Sequence, residues 1–415
     1  MEKRRVVVTG MGAITPVGHG AQAFWENLIA GRSGVDRITL FDCSALPCKI
    51  GAEVKGFCAT DYGISPKLAR ETDRFIQFAL AAASQAIEES GLKLDLVDPY
   101  RMGVVFGTTM GGLTTATESQ TKLLCSPSSR VTPHLLPKML PNLAAAQIAI
   151  RHGLKGPSLT IATACATGTD VIGTGMNLLR SGTADVILAG ASDCLYCQLV
   201  FGSLSSAKAM STRNEEPARA CRPFDLHRDG FVMGEGSGVV VLETLEHAER
   251  RNCHIWGEVI GYANCGDGFH ATAPQPDGKG QIYCMRRALA SAGVSPAEID
   301  YINAHATSTP QGDRVETLAV KEVFGPGAYE LAISSIKGAT GHMMAAAGIV
   351  ELIASLKSIR EGIIPPTINY ENPDPECDLN YVPNKARRIS VRTVLSNSFG
   401  FGGQNSSIVL REMQD

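Results

Sequence analysis

The stretch SLTIATACATGTDVIGTGMNLL, residues 158–179, decides the fold. Its first four residues predict a buried strand, and the small residues after Cys165 predict a helix that can pack closely against a neighbour. A second stretch, LAISSIKGATGHMMAAAGIVELI (331–353), has the same order of strand, tight turn and helix. Two such stretches indicate one α/β fold used twice, with a site where the two copies meet.

The sequence around these stretches alternates between short β-branched runs and longer alanine-rich segments. The predicted strands cover residues 5–9, 102–107, 158–162, 185–189, 238–242, 255–262, 299–303 and 332–335. The predicted helices cover residues 73–89, 143–151, 279–292 and 341–359. The alternation is typical of α/β units around a buried sheet, and it predicts two halves, 1–253 and 254–415.

Composition narrows the class of protein. The chain has 415 residues, a formal net charge of −3 and 43 glycines without a G-X-Y period. The near-neutral charge gives no attraction to nucleic acid, and no run reaches the roughly 18 apolar residues of a membrane span. Twelve cysteines scattered through a long chain are typical of reduced thiols, so we expect a cytoplasmic protein, or one of an organelle stroma or matrix.

Cys165 is a candidate nucleophile because it lies between a predicted strand and a predicted helix. The helix start favours a thiolate, and its backbone N–H groups point at whatever the sulfur attacks. The context resembles a nucleophile elbow with cysteine in place of serine. A buried, inert cysteine is an equally good interpretation of this segment alone.

Two more motifs carry reactive side chains at strand ends. NAHATSTPQGD (303–313) contains His305, and SIKGATGHMMAAAG (335–348) contains Lys337 and His342. One cysteine and two histidines suit a thiolate that accepts an acyl group and neutral imidazoles that stabilise a thioester enolate after loss of CO2. A cysteine protease is the competing interpretation, but it needs one histidine as base and no lysine.

Together with SNSFGFGGQNSSIVL (396–410) and VVVTGMGAITPVG (6–18), these motifs resemble the β-ketoacyl-acyl carrier protein synthases, in particular the elongating enzymes of dissociated fatty-acid synthesis. The resemblance spans effectively the whole chain. It implies a thiolase-like fold with duplicated αβαβα layers and pseudo-two-fold symmetry, working as a homodimer. It also implies decarboxylative Claisen condensation of an acyl-enzyme with a malonyl thioester, without metal or cofactor other than the phosphopantetheine of acyl carrier protein.

The resemblance also implies a role for each motif residue. Cys165 accepts the acyl group, and His305 and His342 hold the malonyl thioester carbonyl. Lys337 orders the charges of the site, with Glu316 as its partner.

Other residues are implied on the substrate side. The N–H of Phe401 completes the oxyanion hole with that of Cys165, and its ring is the gate to the acyl pocket. Thr307 and Thr309 hydrogen-bond the phosphopantetheine arm, and Met110 sets the depth of the acyl chain. The remaining substrate-binding residues are Phe399 and Glu316.

The resemblance also implies a basic patch at the tunnel mouth, which meets the acidic acyl carrier protein. The matching residues are Lys67, Arg70, Arg130 and Lys208.

Four alternatives differ in how well the residues fit them. A polyketide ketosynthase shares every catalytic residue and stays open. A thiolase needs a second cysteine where this chain reads SFGFGG, and a chain-length factor typically lacks the nucleophile. A dinucleotide-binding oxidoreductase needs the third glycine that GMGAIT (10–15) lacks.

Overall fold

The computed structural model describes residues 4–126 and 131–413. Its strands form one 11-stranded mixed sheet and two separate two-stranded sheets. The strands are β1 (Val6–Thr15), β2 (Gly18–His19), β3 (Asp36–Arg37), β4 (Ile50–Gly51), β5 (Met102–Gly107), β6 (Ser158–Ile161), β7 (Val186–Asp193), β8 (Gly236–Thr244), β9 (Gly257–Gly266), β10 (Tyr301–Asn303), β11 (Ala332–Ser334), β12 (Ile363–Ile364), β13 (Arg387–Arg388), β14 (Thr393–Gly400) and β15 (Gln404–Arg411). The helices are α1 (Ala21–Ile29), α2 (Pro66–Glu71), α3 (Arg74–Ser90), α4 (Leu113–Cys125), α5 (Leu135–Met139), α6 (Leu143–His152), α7 (Thr167–Arg180), α8 (Gln198–Ser206), α9 (Leu245–Arg250), α10 (Lys279–Ala292), α11 (Pro310–Phe324), α12 (Lys337–Thr340) and α13 (Ala347–Glu361).

The order of the strands repeats between the halves. Outward from the centre of the sheet, one series runs β1-β8-β7-β5-β6 and the other runs β9-β15-β14-β10-β11. In both series the first two pairings are antiparallel and the last two are parallel. The series meet through two residue pairs, Val7 with Glu258 and Val8 with Gly257. This arrangement confirms the predicted duplication and its pseudo-symmetry.

The two strand series and three layers of helices stack into five layers. Helices α3 and α6 cover the outer face of the first series, and α10 and α11 cover the outer face of the second. Helices α7 and α13 lie between the two series and contact both. Alternate residues of a strand therefore face different layers, as Val105 faces α7 and Phe106 faces α3. The predicted thiolase-like αβαβα architecture is confirmed.

The two central helices touch at their N-termini because glycine occupies both contact positions. A Cβ atom on Gly168 would lie 2.6 Å from the carbonyl oxygen of Ala345, and one on Gly348 would lie 2.7 Å from the backbone nitrogen of Thr169. Only glycine permits this approach, which brings the turn of Cys165 beside that of His342.

Most predicted elements agree with the structure to within a few residues, with two instructive differences. Helix α13 begins at Ala347 rather than 341, because Gly341 has φ +63° and the chain before it forms a separate short helix, α12. Strand β1 runs to Thr15, past the predicted end at residue 9, and contains GMGAIT. This segment is not a strand-to-helix turn, which agrees with the argument against a dinucleotide site.

The predicted boundary between residues 253 and 254 falls between α9 and β9, and it stays a prediction. Among the helices of residues 4–126 and 131–413, none combines the length and apolar character that crossing a membrane requires.

Candidate active site

Cys165 is presented by a sharp turn between β6 and α7. Ala164 has a left-handed φ of +49°, and the side-chain oxygen of Thr167 both accepts from the N–H of Thr163 at 2.8 Å and donates to the carbonyl of Ala164 at 2.7 Å. The end of β14 approaches the turn so closely that a Cβ on Gly400 would lie 2.9 Å from the backbone nitrogen of Cys165. The sulfur therefore lies at a helix start and against the GFGG segment (400–403).

Both predicted histidines lie beside the sulfur. The Nε2 atom of His342 is 2.9 Å from the Sγ of Cys165, and the ring centroid of His305 is 5.4 Å from that of His342. His305 follows β10, whereas His342 is held by backbone hydrogen bonds to Val232 and Gly234. Residues separated by 177 positions thus meet at one point.

Burial determines the charge state of these groups. It lowers the pKa of both imidazoles well below the usual range, and the positive charge of Lys337 lowers them further. Burial also raises the pKa of the Cys165 thiol to about 11, although the N–H of Phe401 and the charge of Lys337 act in the opposite direction. The expected preference for a resting thiolate is therefore wrong, since desolvation outweighs the favourable helix start.

The direct partner of Lys337 differs from the predicted one. Its Nζ donates to the buried carboxylate of Glu351 in α13, not to Glu316. Glu316 instead accepts from the backbone N–H of His305 at 2.9 Å and of Ala306 at 2.7 Å, which fixes the loop that carries the first histidine. Sequence reasoning missed Glu351, although a lone acid in the apolar stretch GIVELIASL (348–356) was a usable signal.

A cavity of about 410 Å³ opens onto the sulfur. Of the residues predicted for the site, those that line it are Cys165, Lys208, His305, Thr307, Thr309, Glu316, His342, Phe399 and Phe401. Phe401 is 37% exposed, and the side-chain oxygens of Thr307 and Thr309 are 3.1 Å apart. The motifs from both halves of the chain therefore converge on one pocket.

Other predicted residues lie away from this cavity. Met110 follows β5 and is 48% exposed, so the structure does not bring it to the cavity wall. Lys67 and Arg70 lie exposed on α2, and Arg130 lies outside the described residues. Their roles stay predictions.

The three central side chains could also be ligands of a metal ion. The sulfur of Cys165 and the ring nitrogens of His305 and His342 all lie within 4.8 Å of one another. The positive charge of Lys337 lowers the pKa of all three groups, and the same charge opposes a cation at their centre. The arrangement therefore suits proton transfer and hydrogen bonding to an anionic intermediate better than metal binding.

Family models match both halves of the chain. The model of the beta-ketoacyl synthase N-terminal domain matches residues 3–248, and that of the C-terminal domain matches residues 256–371. Two relatives named 3-oxoacyl-[acyl-carrier-protein] synthase 2 are each 45% identical to the chain and cover 100% of it. The one from Coxiella burnetii is itself covered over 100% of its length, and the one from Synechocystis over 99%.

Solved structures agree with these matches. A type II polyketide ketosynthase, AntDE, in complex with its acyl-carrier protein, AntF, has a TM-score of 0.92 and 35% identity, covering 99% of this chain and 100% of that one. A beta-ketoacyl synthase from Burkholderia phymatum has a TM-score of 0.91 and 33% identity, with the same coverage. The folded architecture, the Cys-His-His pocket and these matches place the chain in the beta-ketoacyl synthase family.

Proposed function

We propose that the protein is a 3-oxoacyl-[acyl-carrier-protein] synthase that elongates fatty acyl chains by decarboxylative Claisen condensation. The observation that carries this proposal is the 2.9 Å approach of His342 Nε2 to Cys165 Sγ, with the second neutral imidazole of His305 in the same cavity. His342 can accept the proton of the thiol, and both histidines can donate hydrogen bonds to a second thioester.

The first half-reaction transfers the acyl group to Cys165. As the sulfur attacks the thioester carbonyl carbon, its proton passes to the Nε2 of His342, because a thiol with a pKa of about 11 is not ionised at neutral pH. We expect the backbone N–H groups of Cys165 and Phe401, both of which lower the pKa of the thiol, to stabilise the oxyanion. The carbon–sulfur bond to phosphopantetheine then breaks, and the leaving thiolate takes the proton from His342.

The second half-reaction uses both imidazoles as donors. Between the half-reactions, and in reverse after product release, His342 exchanges its ring proton between Nδ1 and Nε2 with water. The Nε2–H groups of both rings then donate to the malonyl thioester carbonyl. The bond between the α-carbon and the carboxylate breaks, and its electron pair moves into the enolate as CO2 leaves. The enolate carbon attacks the acyl-Cys165 carbonyl, and collapse of the second oxyanion releases the 3-oxoacyl product and a thiolate. That thiolate takes one proton from water, which restores the thiol.

Residues of the cavity are the proposed contacts for the incoming substrate. Thr307 and Thr309 are the proposed contacts for the phosphopantetheine arm, and the exposed ring of Phe401 is the proposed gate between the arm and the acyl pocket. The chain acts without any further cofactor in this proposal. Acyl carrier protein is the proposed partner, recognised by the basic residues Lys67, Arg70, Arg130 and Lys208.

A polyketide ketosynthase is the second candidate, because the AntDE ketosynthase resembles the chain throughout. Fatty-acid elongation is favoured because the two relatives named 3-oxoacyl-[acyl-carrier-protein] synthase 2 are 45% identical, compared with 35% for that polyketide enzyme. The products formed from saturated acyl thioesters of different lengths distinguish the two.

We also propose that the enzyme is a homodimer. Among the described strands, β6 ends one side of the sheet, and Leu159 on it is exposed. Met110, Leu136 and Ile150, on neighbouring parts of the same half, are exposed as well. Apolar side chains beside a free strand edge favour pairing with a second copy.

A reducing compartment is the proposed location, the cytoplasm or an organelle stroma or matrix. All twelve cysteines lie in the described residues and are free thiols, as proteins of reducing compartments commonly have.

Mass spectrometry tests the proposed nucleophile. The protein incubated with a saturated acyl-acyl carrier protein should gain one acyl group on Cys165, and Cys165→Ala should gain none while still releasing CO2 from malonyl-acyl carrier protein. An adduct on another residue, or no adduct at all, contradicts the proposal.

A further inference from the structure

A buried carboxylate beneath the Cys165 turn has no role in the mechanism described so far. Asp170 lies in the first turn of α7 and is 3% exposed. Its Oδ2 accepts from the hydroxyl of Thr163 at 2.6 Å, and its Oδ1 accepts from the hydroxyl of Tyr262 at 2.9 Å. One side chain thus joins the turn, helix α7 and strand β9.

Thr163 is the point at which this carboxylate can act on the nucleophile. It precedes Cys165 by two residues, and its own backbone groups are engaged in the turn, the N–H with Thr167 and the carbonyl with Ala166. The hydroxyl of Thr163 is therefore the side-chain link between the turn and Asp170, the residue that β9 also holds.

Tyr262, whose hydroxyl donates to Asp170, packs tightly against α7. A Cβ on Gly173 would lie 2.4 Å from the ring of Tyr262, so the absence of a side chain there lets the ring lie directly on α7, three residues after Asp170. The packed ring fixes the direction of the tyrosine hydroxyl, and through it the position of the carboxylate.

We propose that Asp170, acting through Thr163, is a positioning residue that sets where the sulfur of Cys165 lies relative to His342. Acyl transfer depends on that placement, whereas decarboxylation uses imidazoles that are held from other elements. The acyl-transfer part of this inference rests on the proposed function.

Three threonine variants test the link. Thr163→Val removes the hydroxyl at constant shape and should slow both alkylation of Cys165 by iodoacetamide and single-turnover acylation about tenfold, the effect of losing one hydrogen bond to a charged group. Thr163→Ser keeps the hydroxyl and should stay within about twofold of the wild type. Thr115→Val is the matched control, because Thr115 also donates to a buried carboxylate, that of Asp73, but away from the nucleophile.

The control should lower the melting temperature without changing the alkylation rate. Asp170→Asn, which keeps the shape of the side chain, should slow alkylation in the same way as Thr163→Val, so the inference stays testable if one variant does not fold. Release of CO2 from malonyl-acyl carrier protein should change less than twofold in Thr163→Val and Asp170→Asn. A general loss of structure would instead reduce CO2 release as well.

Alkylation at the wild-type rate in folded Thr163→Val and Asp170→Asn would overturn the inference, and so would an equal loss of CO2 release. Iodoacetamide reports on the thiol without any thioester substrate. A slowed alkylation in a protein whose wild type takes no acyl group would therefore refute the proposed function and leave the positioning role intact.

Discussion

The two copies of the repeated motif end in two very different sites. Cys165 lies two residues before α7, and Ala345 lies at the equivalent position two residues before α13. Each also lies three residues before the glycine of the helix contact. Both follow a residue with left-handed backbone, Ala164 with φ +49° and Met344 with φ +51°. The backbone frame is therefore the same, and the difference lies in what the opposite half contributes.

At Cys165 the opposite half contributes an open pocket. The ends of β10 and β14 bring His305 and Phe401 to the sulfur. At Ala345 the equivalent strands, β5 and β7, close the site instead, because the N–H of Ala345 donates to the carboxylate of Asp193 at 2.9 Å.

Asp193 is also engaged from the other side. Its carboxylate accepts from the hydroxyls of Thr108 and Thr109 at 2.7 and 2.9 Å. Burial raises its pKa to about 6, against the effect of these hydrogen bonds. The copy that contains Cys165 thus forms the reactive site, and the copy that contains Ala345 forms contacts that stabilise the fold.

Removal of the histidines from the open site should have the largest effect. His305→Ala should abolish measurable CO2 release from malonyl-acyl carrier protein, a loss on the order of 1000-fold, yet keep acylation of Cys165, because this ring is not the proton acceptor of the thiol. His342→Ala should lose both reactions, since its Nε2 contacts the sulfur and its ring is also one of the two donors to the malonyl carbonyl.

Single-turnover acylation and CO2 release, measured on the same preparations, separate the two roles. Equal behaviour of the two variants would contradict the assignment of different tasks to the two rings.

Removal of the buried ion pair should alter the pH dependence of the open site. The charge of Lys337 lowers the pKa of His342, so acylation in the wild type persists as the pH falls, until the imidazole is protonated. In Lys337→Met/Glu351→Gln that lowering is lost, and the acid limb should move to higher pH.

The double variant avoids leaving Glu351 buried without its partner. The measurement is the rate of Cys165 acylation between about pH 5 and about pH 8. An unmoved acid limb would show that burial alone holds the imidazole neutral.

A change in the closed site should affect stability more than catalysis. Asp193→Asn places an amide where the carboxylate accepts from Ala345, so we expect a loss of about 1–3 kcal/mol in the free energy of unfolding and a kcat within a few-fold of the wild type. Urea unfolding and a condensation assay measure the two quantities. A large loss of kcat without loss of stability would mean that the closed site also serves the reaction.

Local sequence patterns were sufficient to predict much of the fold and of the site. A strand, a glycine turn and a helix of small residues need only a short stretch of chain, so the duplication and the positions of Cys165, His305 and His342 could be predicted from their own motifs. Side-chain partners were harder. Lys337 pairs with Glu351 and not with Glu316, because the choice depends on how α12 and α13 fold back on each other.

The placement of Met110 shows the same limit. A residue three positions after a strand can point into a cavity or out of the protein, and the neighbouring elements decide which. In this structure it is half exposed on the side where a second copy is proposed.

The sequence by itself determined the repeated frame and the chemical groups that it carries, because hydrophobic period, glycine positions and residue type act over a few residues. The tertiary structure decided which groups meet and in what charge state. Burial keeps the thiol protonated and the imidazoles neutral, Glu351 balances Lys337, and Asp193 closes the second site. These outcomes depend on desolvation and on contacts between distant residues, and both exist only once the layers have packed.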